Sequence, residues 1–441
     1  MIDVSWWISI SVIITLLVTL LTIGVPISFS MGLTGVIGLC LFAGPNIAFN
    51  AFKIAIHSGP YNFLLVAVPL FILMAQIIIV SGISNDVFAA LESAIGPLPG
   101  GLALASLTGS SIFAACTGAS LASCATIGPV AIGEMIKRGY DKRLATGVIA
   151  AGGGLAIVIP PSIVLVLYGF IAEVSVAKLF IAGIIPGLMM AVLYIIYTVG
   201  LVIRYPSKAP RIKTDLSFKA RMIPLIHLWP LITLIFLILG SIYSGFSTVS
   251  ESAAMGVLGA LAISLLYKKM PLEKVWEALL RAAETSGFIL LIVVSALYIG
   301  FLLNYLQIPL LFTEFMASLS VSPLTILILV NIVILILGCL MDAVGLILVV
   351  TPIVLPTLVA AGWDPILLGV ILTLNVEMGL TTPPIGINVF VIQGISKEFG
   401  VTFNDVVRGA IPYLFSDAIV LALLIIYPQL ALWLPSTLRG V

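Results

Sequence analysis

The sequence predicts an all-α polytopic membrane protein whose two halves are inverted repeats, each with a helical hairpin and a broken helix. Three observations predict it. Of 441 residues, 61% are hydrophobic and only 8% charged, against about 25% charged in a soluble domain. Residues 4–52 and 93–133 carry no charge; a span takes about 20 apolar residues, so each stretch can hold two crossings. The third observation is a repeat. Pro129, Gly139, Asp141, Pro160 and Pro161 recur as Pro352, Gly362, Asp364, Pro383 and Pro384, each 223 residues further on. In both copies a Pro-Pro pair interrupts an apolar segment, because proline removes a helix donor and clashes with the preceding turn.

The elements follow in order. Residues 5–24 form a first span; Asp3 is the one charge before it and no basic stretch precedes it, so it reads as a retained helix rather than a cleaved signal. A second span over 26–43, an amphipathic surface piece near 46–57 and a third span over 62–82 come next. The apolar stretch 98–136 has small and polar residues at its centre, Cys116-Thr117-Gly118-Ala119-Ser120. It is either two crossings or one re-entrant hairpin, and in both cases the chain returns to the side it left. Residues 143–172 are a span broken near Pro160-Pro161, and 178–203 closes the first repeat, residues 1–203. A basic linker, 204–222, leads to the second repeat, 223–441. There the order recurs: spans over 223–243 and 250–267, a surface piece near 271–282 and a span over 285–306. A stretch over 322–360 centred on Cys339-Leu340-Met341-Asp342-Ala343, a broken span over 366–396 and a last span over 410–434 follow.

Further matches extend the repeat. Met31-Gly32 pairs with Met255-Gly256 at an offset of 224, and Ile185-Pro186 with Ile411-Pro412 after a short insertion. Five crossings per half is an odd number, so the second copy runs upside down relative to the first. Basic residues set the orientation. Arg204, Lys208, Arg211, Lys213, Lys219 and Arg221 against Asp215 place the linker in the cytoplasm. Counting from there puts Lys137, Arg138, Lys142, Arg143, Lys268 and Lys269 inside, and Gly362-Trp363-Asp364 outside. Both termini are then extracytoplasmic, and Lys53 falls outside against the trend.

Backbone freed at a tip or break survives at membrane depth only inside protein or beside a wet cavity. Repeated interrupted helices mark the midplane binding site of a secondary transporter. Four places qualify: tips around 117–120 and 339–343, and breaks at 152–162 and 377–386. Half-helix N-termini suit an anion, and freed carbonyls suit Na⁺. The candidate substrate-binding residues are Ser120, Ser123, Gly154, Pro161, Ser162, Pro384 and Asn388. The candidate ligands for two or more Na⁺ ions are Ser110, Thr117, Gly118, Gly338, Asp342, Asn375, Glu377, Thr381 and Thr382. Asp342 and Glu377 stand out, because an ionisable group within the membrane is a functional candidate by default. The plainer readings are a structural hydrogen bond for each carboxylate and close helix packing for Gly152-Gly153-Gly154. No Arg or Lys lies near these segments, so an anion would draw its countercharge from helix ends and co-bound cations.

Other classes find little support. No G-x-x-x-x-G-K-[ST] pattern is present, so nucleotide-driven pumping would need a partner. His57 and His227 are the only histidines and lie far from the tips, which leaves no Ser/His or Cys/His nucleophile and no histidine metal site. Cys40, Cys116, Cys124 and Cys339 all fall in apolar segments, against a disulfide framework. A net charge of +1 offers nothing to nucleic acid. An enzyme is not expected, and two buried carboxylates favour sodium over a proton relay.

At these residues the chain resembles the large membrane subunit of the tripartite ATP-independent periplasmic (TRAP) transporters. The similarity runs through Gly128-Pro129-Val130-Ala131-Ile132, Glu134-Met135 and Lys137-Arg138-Gly139-Tyr140-Asp141. It continues in Ala151-Gly152-Gly153, Ile159-Pro160-Pro161-Ser162 and Ala182-Gly183-Ile184-Ile185-Pro186-Gly187. The second half adds Met341-Asp342, Thr351-Pro352-Ile353, Asn375-Val376-Glu377-Met378-Gly379-Leu380 and Thr382-Pro383-Pro384-Ile385-Gly386-Ile387-Asn388. The tip Thr117-Gly118-Ala119-Ser120 departs from the family's more serine-rich pattern. The resemblance implies an elevator-type carrier with a fixed scaffold and a moving domain, in the bacterial cytoplasmic (inner) membrane. It also implies a small four-helix membrane subunit, a periplasmic binding protein, a sodium gradient and import of a small organic anion. The alternative is a stand-alone Na⁺- or H⁺-coupled carboxylate carrier of the same architecture; a channel or membrane-embedded enzyme is the reading from another class.

Overall fold

The computed structural model describes residues 6–59, 61–211, 217–318, 321–384 and 386–437. Asp3, the linker residues Lys213 and Asp215, and Ile385 of the second Pro-Pro motif lie outside the described residues. Among those described, every regular element is helical, and eight helices are long and apolar enough to cross a membrane.

The first half runs α1 (Trp6–Thr22), α2 (Ile27–Phe42), α3 (Pro45–Ser58), α4 (Ala67–Ser81), α5 (Ile83–Ile95), α6 (Gly101–Thr117), α7 (Ser120–Lys137), α8 (Lys142–Val158), α9 (Ile163–Ala172) and α10 (Val176–Arg204). After the short α11 (Phe218–Met222) the second half runs α12 (Trp229–Tyr243), α13 (Val249–Leu266), α14 (Leu272–Tyr305), α15 (Ile308–Ser318), α16 (Pro323–Gly338), α17 (Ala343–Ala360), α18 (Pro365–Thr381), α19 (Ile387–Ser396), α20 (Phe403–Ile426) and α21 (Gln429–Ser436).

The order of elements repeats, and so does the chemistry that starts them. Asp141 caps α8 by accepting from the N–H groups of Arg143 and Leu144 at 2.9 and 3.2 Å. Asp364 caps α18 in the same way, from Ile366 and Leu367 at 2.8 and 3.1 Å. Such a cap satisfies donors that have no partner within the helix. Packing between halves is reciprocal: α2 lies on α14 while its counterpart α13 lies on α4, and α7 lies on α19 while α17 lies on α9.

The two ambiguous apolar stretches are hairpins whose tips meet the broken helices at their breaks. The N–H of Ile163, just past the first break, donates to Gly118 O at 3.3 Å. Gly118 turns the first tip with φ +63, and a Cβ there would sit 2.7 Å from Pro161 O, so glycine answers both the left-handed turn and the close approach. At the second tip Cys339 Sγ lies 3.7 Å from Pro383 O. Gly338 and Gly379 bring α16 and α18 together so closely that a Cβ on Gly379 would sit 2.7 Å from Gly338 Cα. Small residues at helix crossings permit such approach in membrane proteins.

Several expectations are corrected. The surface piece near 271–282 and the span over 285–306 are one continuous helix, α14; no Gly or Pro separates them, so nothing stops propagation. The last span does not fill 410–434. A capping box of Thr402 and Asp405 starts α20 earlier, and it ends before Pro428, after which α21 forms separately. The span over 223–243 opens with a 3-10 segment, Ile223–Leu228, carrying Pro224. Helices α5 and α15 occupy connections for which no element was expected. The breaks are also narrower than 152–162 and 377–386: α8 holds to Val158 and α18 to Thr381. Gly152-Gly153-Gly154 and Glu377 therefore sit on intact helix.

Candidate functional site

The centre of the molecule is a buried carboxylate on an uninterrupted turn. Glu377 projects from α18 and is 2% exposed. Its Oε1 accepts from Asn388 Nδ2 at 3.0 Å, from Thr381 Oγ1 at 3.3 Å and from Ser120 Oγ at 3.4 Å. Asn388 Nδ2 also donates to Ser120 Oγ at 2.8 Å. Three elements converge here: α18 brings Glu377 and Thr381, the second half-helix α19 brings Asn388, and the first hairpin brings Ser120. The fourth wall is α8. A Cβ on Gly154 would stand 2.4 Å from Glu377 Oε1, so the carboxylate fills the space that this glycine leaves.

The cluster is short of positive partners. Glu377 Oε2 and Asn388 Oδ1 are both buried without a hydrogen bond, as are the hydroxyls of Ser110 and Ser123 on the first hairpin. A buried acceptor without a donor costs about 1–3 kcal/mol, more when charged. No ion pair to Glu377 is formed among the described residues. The unfilled demand is for a cation, and the surrounding donor set is all oxygen.

The remaining candidates divide by location. Thr117, Gly118, Pro161 and Ser162 form the junction of the first tip with the first break. There the Ser162 hydroxyl donates to Ile157 O and accepts from Leu165 N at 3.3 Å, bridging the interruption, while Thr117 Oγ1 reaches Ala114 O at 3.4 Å. Ser110 lies against Gly152. Asp342 is the N-cap of α17: its Oδ2 accepts from Val344 and Gly345 N–H at 3.0 and 3.2 Å, and its Oδ1 is buried and unpartnered. Asn375 Nδ2 ties α18 to Asn331 O of α16 at 2.7 Å. Thr382 Oγ1 bonds back to Met378 O at 2.6 Å, Gly338 serves the α16–α18 crossing, and Pro384 is exposed.

The structure thus gathers Ser120, Gly154, Glu377, Thr381 and Asn388 into one cluster. The expected separation into substrate-binding and ion-binding groups does not follow this geometry, since Ser120, Gly154 and Asn388 of the first group touch Glu377 of the second. One carboxylate was missed. Asp417, on α20, is 4% exposed and accepts from the Tyr194 hydroxyl of α10. The rule that singled out Asp342 and Glu377, an ionisable residue within an apolar span, would have found it.

With this geometry in view, comparison with known proteins is informative. Residues 14–430 match the family model described as "Tripartite ATP-independent periplasmic transporter, DctM component". The C4-dicarboxylate TRAP transporter large permease protein DctM of Vibrio cholerae is 33% identical, with 98% of each chain covered. That of Pseudomonas aeruginosa is 34% identical over 93% of this chain and 94% of its own. The sialic acid TRAP transporter large permease protein SiaM of Vibrio cholerae is 31% identical over 96% and 97%. These relatives are named as permeases, not enzymes. Among solved structures, the Alcanivorax borkumensis YdaH transporter superposes with a TM-score of 0.61 at 15% identity, covering 90% of each chain; that likeness concerns the fold alone. The family match runs through both halves and both broken helices, and this multi-pass membrane protein belongs to the DctM component family of the TRAP transporters, as a large permease.

Proposed function

We propose that the chain is the membrane subunit through which a small organic anion, a carboxylate or sulfonate, enters the cell by symport with Na⁺. The observation that carries the coupling is the Glu377 cluster: a buried carboxylate with an unpartnered oxygen, an unpartnered amide oxygen beside it, and no cation from the protein. A sodium ion bound by Glu377, Asn388, Ser120 and Thr381 would satisfy these groups, and would supply the countercharge that an incoming anion needs. Two or more ions are proposed, with Asp342 Oδ1 at the second tip as the next acceptor. Ser123, Gly154, Ser162 and the facing half-helix ends are assigned to the anion.

The two halves are proposed to be inverted repeats. The reciprocal packing of α2 on α14 and α13 on α4 supports this, as does Gly154 meeting Glu377 223 residues away, the repeat offset. Residues matched by a two-fold relation touch only where they lie near its axis. An elevator movement of the hairpins and broken helices against α2, α4, α13 and α14 is part of the proposal. So are a cytoplasmic-membrane location with both termini periplasmic, a small four-helix membrane subunit and a periplasmic binding protein.

The test is uptake into proteoliposomes containing the large and small subunits, with binding protein outside and a sodium gradient as the only driving force. Uptake that collapses with the sodium gradient and with Glu377→Gln supports the reading. Uptake indifferent to sodium would reject the coupling, and full activity without binding protein would favour a stand-alone carrier.

A further inference from the structure

Asp417 is the one buried carboxylate of the interior that the proposed ion and substrate sites leave unused. It sits on α20 facing α10, where the Tyr194 hydroxyl donates to its Oδ1. Behind this pair the Thr198 hydroxyl donates to Tyr194 O at 2.8 Å, so the 2.9 Å contact between Thr198 and Tyr413 is donated by Tyr413. Tyr194 and Tyr197 pack edge-on against the Tyr413 ring at 5.4 and 5.0 Å. The network is enclosed and aromatic, and every hydroxyl in it has a partner.

No positive charge reaches this carboxylate. Helix α20 packs against α8, α10, α18, α19 and α21. From α10 the titratable neighbours are Tyr194 and Tyr197; on α20 itself, Tyr413. From α18 it is Glu377, whose charge interacts with that of Asp417, although no hydrogen bond joins the two. Helix α8 carries Lys142 and Arg143 only in its first turn, where Lys142 bonds to Gly400 O and Arg143 pairs with Asp405 at 3.6 Å. Asp405 is twelve residues before Asp417, about 18 Å along the helix. Helices α19 and α21 carry no titratable side chain.

An isolated buried carboxylate must be neutralised. One carboxylate and one phenol are too few oxygens for a hard cation, which takes about six. A proton needs a single oxygen. We propose that the Asp417–Tyr194 pair is a proton-binding site linked to cation occupancy at Glu377, so that Na⁺ binding expels the Asp417 proton and acid weakens Na⁺ binding. The reciprocity is thermodynamic: two ligands that oppose each other do so by the same factor in both directions. The linkage rests on the Na⁺ site proposed above, but the proton site itself does not.

The experiment is infrared difference spectroscopy of the full chain in nanodiscs, titrated between about pH 5 and pH 9, with and without NaCl as the only added ligand. Wild type should show protonated-carboxyl bands, of which Asp417→Asn removes one and Glu377→Gln another. Tyr194→Phe should keep the Asp417 band but shift it, because the hydrogen bond to the carboxyl is gone. Na⁺ should diminish the Asp417 band, and its apparent affinity should fall at least about fivefold from the alkaline to the acidic end. Titrating bands unchanged in both Asp417→Asn and Tyr194→Phe would overturn the proton site. A band that Asp417→Asn removes but Na⁺ leaves untouched would overturn the linkage. Should Na⁺ perturb no carboxyl band at all, the sodium site at Glu377 fails with the linkage, while the proton site stands on Asp417→Asn and Tyr194→Phe.

Discussion

Gly154→Ala is the sharpest probe of the central cluster, because it adds one methyl group at a place where the structure has no room. The new Cβ would stand 2.4 Å from Glu377 Oε1, 2.9 Å from Cδ and 3.1 Å from Cγ. Comfortable contact begins near 3.5 Å, so the carboxylate must retreat by about 1 Å. Its bonds from Asn388, Thr381 and Ser120 start at 3.0, 3.3 and 3.4 Å, and a retreat of that size takes at least one beyond bonding distance. A hydrogen bond to a charged group contributes about 1.5–3 kcal/mol, which at about 1.4 kcal/mol per decade is roughly 10- to 100-fold in Na⁺ affinity. The assay is the sodium dependence of uptake in proteoliposomes, with Gly200→Ala as control, since nothing lies within 4 Å of a Cβ there. The control should match wild type, while Gly154→Ala should need far more sodium for half-maximal uptake. A Gly154→Ala transporter with the wild-type sodium response would refute the assignment of Glu377 as a cation ligand packed against α8.

Other outcomes follow from the same coordinates. Asn caps a helix about as well as Asp, so Asp342→Asn should preserve thermal stability while weakening Na⁺-coupled uptake, whereas Asp342→Ala should also cost about 1 kcal/mol of stability; unchanged sodium dependence in Asp342→Asn would leave the residue a cap and nothing more. Gly379→Ala drives a methyl group to within 2.7 Å of the Gly338 backbone, and should lower the melting temperature and transport together; a wild-type melting profile would show that the α16–α18 crossing yields easily. Membrane-impermeant thiol labelling of Arg211→Cys and Trp363→Cys, in a background lacking the native cysteines, should reach the second from outside intact cells and the first only after permeabilisation. The opposite pattern would reverse the proposed orientation.

What was legible in the sequence was whatever one local rule could decide. A Pro-Pro pair breaks a helix wherever it stands, and Asp141 and Asp364 announce the helices they cap. The tips were visible because small and polar residues interrupt long apolar runs. Helices α5 and α15 escaped because their apolar residues are mixed with polar ones, as in Ile83–Ile95 with Asn85, Asp86 and Glu92, so they do not stand out as spans. The site was harder still. Ser120 and Asn388 are 268 residues apart and belong to different halves, and no spacing rule shows that they share a hydrogen bond. For the same reason a sorting of residues into ion and anion sets could not anticipate that Glu377 and Ser120 would meet. Asp417 was missed differently: its signal was present, but it sat inside a span drawn for its hydropathy alone.

The repeat also suggests why the site has the composition it has. At the offset of 223 residues, Gly154 corresponds to Glu377, Gly152 to Asn375 and Ala119 to Asp342. In each pair the first half carries a small residue and the second a polar one. Near a two-fold axis this asymmetry is forced. Two glutamates meeting there would bury like charges in contact, and two glycines would leave neither charge nor ligand. One half therefore makes room and the other fills it. If that reasoning is right, Glu377→Gly should abolish Na⁺-coupled uptake, and adding Gly154→Glu should restore part of it by returning one carboxylate to the same space from the opposite wall. Gly154→Glu alone, with two carboxylates competing for that space, should be as inactive as Glu377→Gly. A double variant no better than either single one, although folded in detergent, would mean that the position of the carboxylate on α18, and not its presence at the axis, is what the transporter requires.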